Sequence, residues 1–257
     1  MEGKKKIIML GTGSATVTKC YNTCFMIKTE ESMLMVDAGG GNGILNQLQK
    51  ANINICDIHN LYVTHAHTDH ILGVIWIVRM IMQKTLAGKY DGVLNVYGHE
   101  KAIHVITEIC RMTLHKKYFS LIGSAIQMHV LDDGDRFNVG DMQLQCFDIL
   151  SEKEKQFGLG DEPCNEATLH YAKDADWMMC EAFCLYSDRD IFKPYEKYHS
   201  TALDAGKLAA GIGVKNLIIY HTEDTDLDHR KEKYSEEVRK YFKGNVVVPD
   251  DLEEIIL

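Results

Sequence analysis

The segment from Thr64 to His70 constrains the fold of this chain more than any other. It follows an apolar run at 61–64, which is typical of a buried strand, and it leads into an apolar helical pattern from 69 to about 84. Four metal-binding side chains fall at this junction: His65, His67, Asp69 and His70. Side chains two residues apart in an extended segment point to the same face, so the first two histidines converge where the strand ends. The other two open the helix, where the turn aims them toward the same point.

This cluster predicts a site for one or two divalent ions, because imidazole and carboxylate groups are common ligands of transition metals. Zinc is the expected ion, with manganese or iron as alternatives, since selection often follows availability more than affinity. The competing interpretation is a set of surface histidines at a strand-to-helix turn. The small residues Ala66 and Thr68 leave room for an ion between the ligands and favour the metal site.

Hydrophobic patterning predicts strands and helices that interleave along the chain. Strands are predicted at 7–10, 24–28, 33–36, 61–64, 93–97, 127–131, 136–139, 143–149, 177–180, 216–220 and 246–248. Helices are predicted at 43–50, 69–84, 101–114, 201–211 and 232–242. The strands between 127 and 149 are expected to form hairpins, with Asp133-Gly134 as a turn. The class is therefore α/β, or a layered α+β arrangement.

The composition favours one domain over 1–257, because only three prolines occur and no Ser/Gly/Pro-rich stretch offers a linker. The N-terminal apolar piece at 7–10 is too short for a secretory leader, and the longest apolar run, 71–78, is too short to span a membrane. Eight cysteines without a leader are expected to stay reduced, so we expect a cytoplasmic protein that does not bind membranes.

The net charge of −9 bears on the class of substrate. Nucleic-acid-binding proteins gain affinity by neutralising phosphates and usually carry a basic face. The basic clusters here, at 4–6, 116–117 and 230–233, are short and surrounded by acidic residues. The charge therefore disfavours polynucleotides and favours a small-molecule ester or phosphodiester.

The string His-x-His-x-Asp-His after a core strand resembles the signature of the metallo-β-lactamase superfamily. Residues 10–14 with 21–23 look like the opening of its ribonuclease Z and phosphodiesterase branch. Residues 35–40 look like the superfamily's second-strand motif, in which the aspartate, here Asp37, supports the metal ligands. The resemblance covers nearly the whole chain and implies a four-layer αββα sandwich, with the metals at one edge between two sheets.

The resemblance extends to two further ligand positions. The segment 160–163 is similar to the Gly-Asp-Thr segment whose aspartate bridges both metals, which implies that role for Asp161. By itself, Asp161 is equally well interpreted as a turn residue. The strand at 217–220 runs into His221 much as the strand at 61–64 runs into His65, so His221 is a predicted ligand. The alternative is a polar residue at a strand end.

Two segments resemble the parts of ribonuclease Z that supply a proton at the active site. Residues 175–183 contain Glu181, and residues 199–202 begin with His199. The alternative is structural, with Glu181 capping a strand and His199 preceding a helix. The candidate catalytic residues are therefore Asp69, Glu181 and His199.

The chain departs from this branch in two places. By alignment, Leu150 stands where a further metal-binding histidine is expected, which predicts a weak or empty site at His65 and His67. Asp148, Glu152 or a water molecule are alternative ligands. The long arm with which ribonuclease Z grips tRNA is missing, since 156–159 leads directly to the Gly-Asp segment, so tRNA is disfavoured as a substrate.

These patterns predict a metal-dependent hydrolase, specifically a phosphodiesterase that uses a metal-bound hydroxide. A lactone or thioester hydrolase of the same superfamily is the first alternative. The segment that begins at His199 is generally missing from those enzymes, so it favours phosphodiesters. A degenerate, non-catalytic metal-binding protein is the second alternative, and Leu150 supports it. A homodimer is left open.

Overall fold

The protein is described from a computed structural model that covers residues 5–151, 156–158 and 160–257. The strands in chain order are β1 (Lys6–Gly11), β2 (Cys24–Lys28), β3 (Met33–Val36), β4 (Asn60–Val63), β5 (Leu94–Gly98), β6 (Ile126–Val130), β7 (Arg136–Val139), β8 (Met142–Gln145), β9 (Trp177–Glu181), β10 (Asn216–Tyr220), β11 (Asn245–Val247) and β12 (Glu254–Ile256). The α-helices are α1 (Gly43–Lys50), α2 (Thr68–Leu86), α3 (Glu100–Thr113), α4 (Lys116–Phe119), α5 (Leu169–Ala172), α6 (Arg189–Phe192), α7 (Ala202–Ile212) and α8 (Leu227–Val238).

The strands form two sheets and a ribbon. The larger sheet has seven strands in the order β12-β1-β2-β3-β4-β5-β6. Its strands are antiparallel from β12 to β3 and parallel from β3 to β6. The smaller sheet has the order β11-β10-β9 and is parallel throughout. Strands β7 and β8 form a separate antiparallel ribbon.

Three clusters of buried apolar residues show how these elements stack into layers. The first lies between the larger sheet and helices α1 to α3, with Leu61 of β4 and Ile77 of α2 among its members. The second lies between the two sheets and contains Tyr62 and Ile218. The third lies between the smaller sheet and helices α7 and α8. The predicted αββα sandwich is therefore confirmed.

The start of α2 packs unusually close to the loop that follows β3. A Cβ atom at Gly73 would overlap the carbonyl oxygen of Ala38, so no larger residue fits there without a shift of the backbone. The amide of Gly73 donates to the carbonyl oxygen of Gly39 at 2.8 Å, and the amide of Ala38 donates to His70 at 3.1 Å. This close approach brings the first turn of α2 against the end of β3, where Asp37 lies.

The structure corrects several predicted boundaries. Helix α8 spans Leu227–Val238 and not 232–242, because its buried face begins at Arg230 and includes Tyr234. Strand β8 ends at Gln145 and not at 149. Strand β6 pairs in parallel with β5 and forms no hairpin with β7. Gly134 does lie in a turn, with φ +83°, but the β7–β8 ribbon reverses at Gly140.

Strand β12 and the short helices α4, α5 and α6 carried too little periodic signal to be predicted. Among the described helices, none is both long and apolar enough to cross a membrane.

Candidate metal centre

The buried carboxylate of Asp37 organises the histidine cluster. Its Oδ1 atom accepts a hydrogen bond from the Thr64 amide at 2.9 Å, and its Oδ2 atom accepts from the Thr64 hydroxyl at 2.7 Å. Oδ2 also accepts from Nδ1 of His70 at 2.8 Å. Because the Thr64 hydroxyl gives its hydrogen to Asp37, it accepts from Nδ1 of His65 at 2.9 Å. Both imidazoles are thus held with Nδ1 protonated and Nε2 available as a ligand.

Asp161 lies between two groups of converging ligand atoms. Its Oδ1 is 3.5 Å from Nε2 of His65, and its Oδ2 is 4.0 Å from Nδ1 of His67. On the other side, Oδ2 is 3.5 Å from Nε2 of His221. His65, His67 and Asp161 form one group with metal-binding geometry, and Asp69, His70 and His221 form a second. All six predicted ligands therefore come together.

His221 is positioned by residues far away in sequence. It follows β10 in the left-handed region, with φ +58°, and is 1% exposed. Its Nδ1 lies 3.2 Å from the hydroxyl of Thr23, which itself donates to the carbonyl oxygen of Gly13 at 3.0 Å. The Thr23 hydroxyl therefore accepts from His221, and Nε2 of His221 faces Asp161.

Several buried polar atoms in this cluster have no hydrogen-bond partner within the described part of the chain. They are Asp69 Oδ2, His70 Nε2, Asp161 Oδ1 and His221 Nε2. An unsatisfied buried polar atom costs about 1–3 kcal/mol, so a convergence of such atoms from separate elements calls for a compensating ligand. Imidazole nitrogens and carboxylate oxygens suit a divalent transition metal. The residues present therefore fit the divalent metal ion that the sequence of this cluster predicts.

The protonation states of His65, His221 and Asp161 suit metal binding. Burial lowers the pKa of His221 to about 3 and also brings the pKa of His65 well below its ordinary value. Both imidazoles are thus neutral, the form that coordinates a metal. Burial opposes ionisation of Asp161, but His65 and His221 beside it hold the pKa of its carboxyl well below the usual range. Burial likewise opposes protonation of His70, but Asp37 raises its pKa overall.

His199 lies next to the second ligand group. Its Nδ1 is 2.8 Å from the backbone carbonyl oxygen of Asp161 and 3.5 Å from Oε2 of Glu181. The ring stacks on Phe183 at a centroid distance of 5.0 Å and lies 5.2 Å from the ring of His221. His199 also has metal-binding geometry together with Asp161 and His221.

Glu181 is 1% exposed, and burial raises the pKa of its carboxyl. Its Oε1 accepts a hydrogen bond from the amide of Ser200 at 2.6 Å. The amide of Phe183 donates to the carbonyl oxygen of Ser200 at 3.0 Å, so the segment that follows β9 is joined to the segment that precedes α7. The stacking role of Phe183 had no signal in the sequence, because it depends on contacts between distant segments.

The position aligned with the missing histidine faces outward. Leu150 is 59% exposed and has φ +56°, and its amide donates to Oδ1 of Asp148 at 2.9 Å. Within the described ranges, Asp148 does not belong to any group of converging ligand atoms. Glu152, the other alternative ligand, lies outside the described residues.

Sequence comparison assigns the chain to a family. Residues 5–234 match the family described as Anti-Pycsar protein Apyc1. The chain belongs to this family. Beyond the family, the ribonuclease Z of Prochlorococcus marinus is 22% identical over an alignment of 311 residues, which covers 96% of this chain and 98% of the relative. The ribonuclease Z of Methanococcus aeolicus is 30% identical over 132 residues, which covers 49% of the chain and 39% of the relative.

Solved structures share the fold of this family member. The metallo-β-lactamase fold protein YhfI of Bacillus subtilis aligns with a TM-score of 0.78 at 16% identity, covering 99% of this chain and 100% of that one. A diphosphatase of the PhnP family aligns with a TM-score of 0.74 at 15% identity, covering 99% and 97%. Zn²⁺-bound PqqB of Methylobacterium extorquens aligns with a TM-score of 0.71 at 11% identity, covering 98% and 100%. The resemblance to the metallo-β-lactamase superfamily of hydrolases is confirmed.

Proposed function

We propose that this protein is a metal-dependent phosphodiesterase that acts on small molecules. The observation that carries the proposal is the position of Asp161, which lies between two groups of ligand atoms while its backbone binds His199. This arrangement sets a potential proton donor beside the metal ligands. Relatives named ribonuclease Z and a PhnP-family diphosphatase of the same fold support a phosphate ester as the substrate.

We assign the metal ligands in two groups that share Asp161. His65, His67 and Asp161 would hold one ion, and the other ion would be held by Asp69, His70 and His221 together with Asp161. Zinc is the proposed ion, and zinc-bound PqqB supports this choice. When bound, a divalent ion would lower the pKa of a coordinated water to about 7, which would supply a nucleophile at neutral pH, and it would stabilise charge on the phosphoryl oxygens.

Residues of this chain would orient the metal ligands and transfer the proton. Asp37 and Thr64 keep the imidazoles of His65 and His70 in one orientation, so the ligands need no rearrangement. His199 would deliver a proton from Nε2 to the leaving oxygen, because its Nδ1 hydrogen is committed to the carbonyl oxygen of Asp161. The carboxylate of Glu181, 3.5 Å away, favours the charged form of this imidazole. Asp69 would contribute to catalysis as a ligand of the metal.

Three observations support the proposed substrate class and the proposed location of the protein. The net charge of −9 and the missing arm disfavour tRNA and other polynucleotides. All eight cysteines are free thiols, which suits a reducing compartment, and we propose a cytoplasmic location. We further propose a single domain over 1–257, and sedimentation would decide between a monomer and a homodimer.

The test is a substrate panel: bis-p-nitrophenyl phosphate, a lactone and a thioester, assayed on zinc-loaded protein with metal analysis of the same sample. The proposal expects turnover of the phosphodiester that is lost in His70→Ala and kept in His115→Ala, an exposed histidine outside the cluster. Selective turnover of the lactone or thioester would support the other hydrolase chemistry. Metal binding without turnover of any substrate would support a non-catalytic protein.

A further inference from the structure

A cavity of about 250 Å³ lies between the two sheets. Val36 and Tyr62 of the larger sheet form one wall, Met179 and Tyr220 of the smaller sheet form the opposite wall, and Leu144 of the ribbon closes one side. None of the six proposed metal ligands lines it. It is therefore a space separate from the candidate active site, although Glu181 and Tyr220 adjoin both.

The described residues of the lining disfavour anions and favour neutral molecules. Among the described residues, no Lys, Arg or His lines the cavity, and its acidic groups are Glu162 and Glu181. A carboxylate or phosphate would lose its hydration there without gaining a cationic partner, and it would be repelled by the two acidic residues. The remaining walls are mostly aliphatic, aromatic and thiol side chains, and apolar cavities of this kind bind small apolar molecules.

One buried carboxylate oxygen in the lining is only weakly engaged. Among the described residues, Oε2 of Glu181 has the imidazole Nδ1 of His199 at 3.5 Å and accepts no shorter hydrogen bond, whereas Oε1 accepts from the Ser200 amide at 2.6 Å. A ligand with a single N–H or O–H group would add a hydrogen bond to this carboxylate.

Two of the lining side chains present aromatic surfaces to the cavity. The rings of Phe147 and Tyr171 stack at a centroid distance of 4.3 Å and an angle of 11°, and Tyr171 is 39% exposed. The ring of Phe147 lies directly on Gly158, where a Cβ atom would overlap it. Because aromatic rings pair favourably in stacked and edge-to-face arrangements, this lining favours a planar aromatic molecule.

We propose that this cavity binds a neutral, planar aromatic molecule that carries one N–H or O–H donor. The volume has room for a bicyclic ring, since an apolar cavity of about 150 Å³ already holds benzene. This site goes beyond the phosphodiesterase proposal and does not depend on it.

The experiment titrates indole into zinc-loaded protein and follows the side-chain N–H resonances of the two tryptophans by ¹⁵N–¹H NMR. Trp177 lines the cavity, whereas Trp76 lies in α2 on the far side of the larger sheet and serves as an internal control. We expect the Trp177 resonance to shift in a saturable way while that of Trp76 stays in place. Indole-3-carboxylate, with the same ring and a negative charge, is expected to cause no shift.

Two variants fill the cavity from different sides, Ala175→Phe and Leu144→Phe, so that one remains informative if the other fails to fold. Both are expected to lose the indole-dependent shift, and Ala87→Phe, at an exposed position after α2, is expected to keep it. The proposal is overturned if Trp177 does not respond up to the solubility limit of indole. It is equally overturned if the filled variants respond like wild type, or if the carboxylate binds as tightly as indole.

Discussion

The Nδ1 atom of His199 donates a hydrogen bond to the backbone carbonyl oxygen of Asp161 at 2.8 Å. The proposed proton donor is therefore bound to the main chain of the proposed bridging ligand. Glu181 lies further from the same nitrogen, at 3.5 Å, so it acts on His199 more through its charge than through a short hydrogen bond. The predictions for the two residues differ accordingly.

His199→Ala should slow the cleavage of phosphodiesters with alkyl leaving groups by about 10²–10⁴ in kcat/KM, because an alkoxide needs a proton to leave. Esters of p-nitrophenol should be largely spared, since that leaving group is stable as an anion. Glu181→Gln should show a milder form of the same pattern. The measurement is kcat/KM across a leaving-group series; an equal loss for all substrates would make His199 a metal ligand or a structural residue.

Asp37→Asn should weaken zinc binding by about 10–100-fold, because the carboxylate orients the imidazole of His70 and, through Thr64, that of His65. Competition with a chromophoric chelator measures the affinity. Asp141→Asn, at an exposed carboxylate that accepts from the Thr29 hydroxyl, is the matched control and should bind zinc like wild type. An unchanged affinity in Asp37→Asn would show that the ligands keep their orientation without it.

The protein should retain less than two equivalents of zinc after extensive dialysis. The residues Asp69, His70 and His221 are all buried, whereas the other group has a His67 side chain that is 38% exposed and Leu150 in place of a further imidazole. His221→Ala should therefore remove the tightly held metal, and His67→Ala should affect mainly the weaker equivalent. Elemental analysis checks both, and two retained equivalents in wild type would contradict the expectation.

Gly73→Ala should lower the free energy of unfolding by about 1–3 kcal/mol or more, because its Cβ would overlap the carbonyl oxygen of Ala38. Gly211→Ala is the matched control: it lies in α7 with open space around the added atom, so helix propensity should raise the stability by about 0.5–1 kcal/mol. Urea unfolding followed by circular dichroism measures both. Equal effects would mean that the loop after β3 moves to make room for the added Cβ atom at little cost in stability.

Stability should fall above pH 9 in a way that depends on Cys110. Burial raises the pKa of this thiol from 9.0 to about 12, so the folded protein keeps its proton in a range where the unfolded chain loses it. The folded state thus binds more protons between these values, and its stability falls with rising pH by up to about 1.4 kcal/mol for each unit. Below pH 9 the Cys110 thiol is protonated in both the folded and the unfolded state, so it does not make the stability depend on pH.

Urea unfolding at several pH values between 7 and 10.5 tests this linkage. The fall in unfolding free energy should be shallower in Cys110→Ala than in wild type. Cys56→Ala, at a half-buried thiol, is the control and should keep the wild-type slope. If the two variants show the same slope as wild type, ionisation of Cys110 is not coupled to unfolding.

Features with a short-range cause were predictable from the sequence. The bounds of β2, β3, α1, β7 and β10 agree with the hydrophobic pattern, because alternation and helical spacing depend only on neighbouring residues. The junction from Thr64 to His70 was recognisable for the same reason: a strand end and a helix start bring four side chains together within six residues. The boundaries of α8 and β8 were wrong because tertiary packing sets where each element ends.

The remaining parts of the site depend on contacts between distant segments. The sequence suggested Asp161 and His221 by resemblance and by a strand end, but only the packing of the two sheets brings their side chains to within 3.5 Å of each other. The left-handed backbone at Leu150, the stacking of Phe183 on His199 and the pairing of β12 with β1 carried no local signal. The sequence by itself thus determined the ligand types and the class of fold, because these follow from local chemistry and periodicity. The tertiary structure decided which ligands meet, because that depends on how separate elements pack in three dimensions.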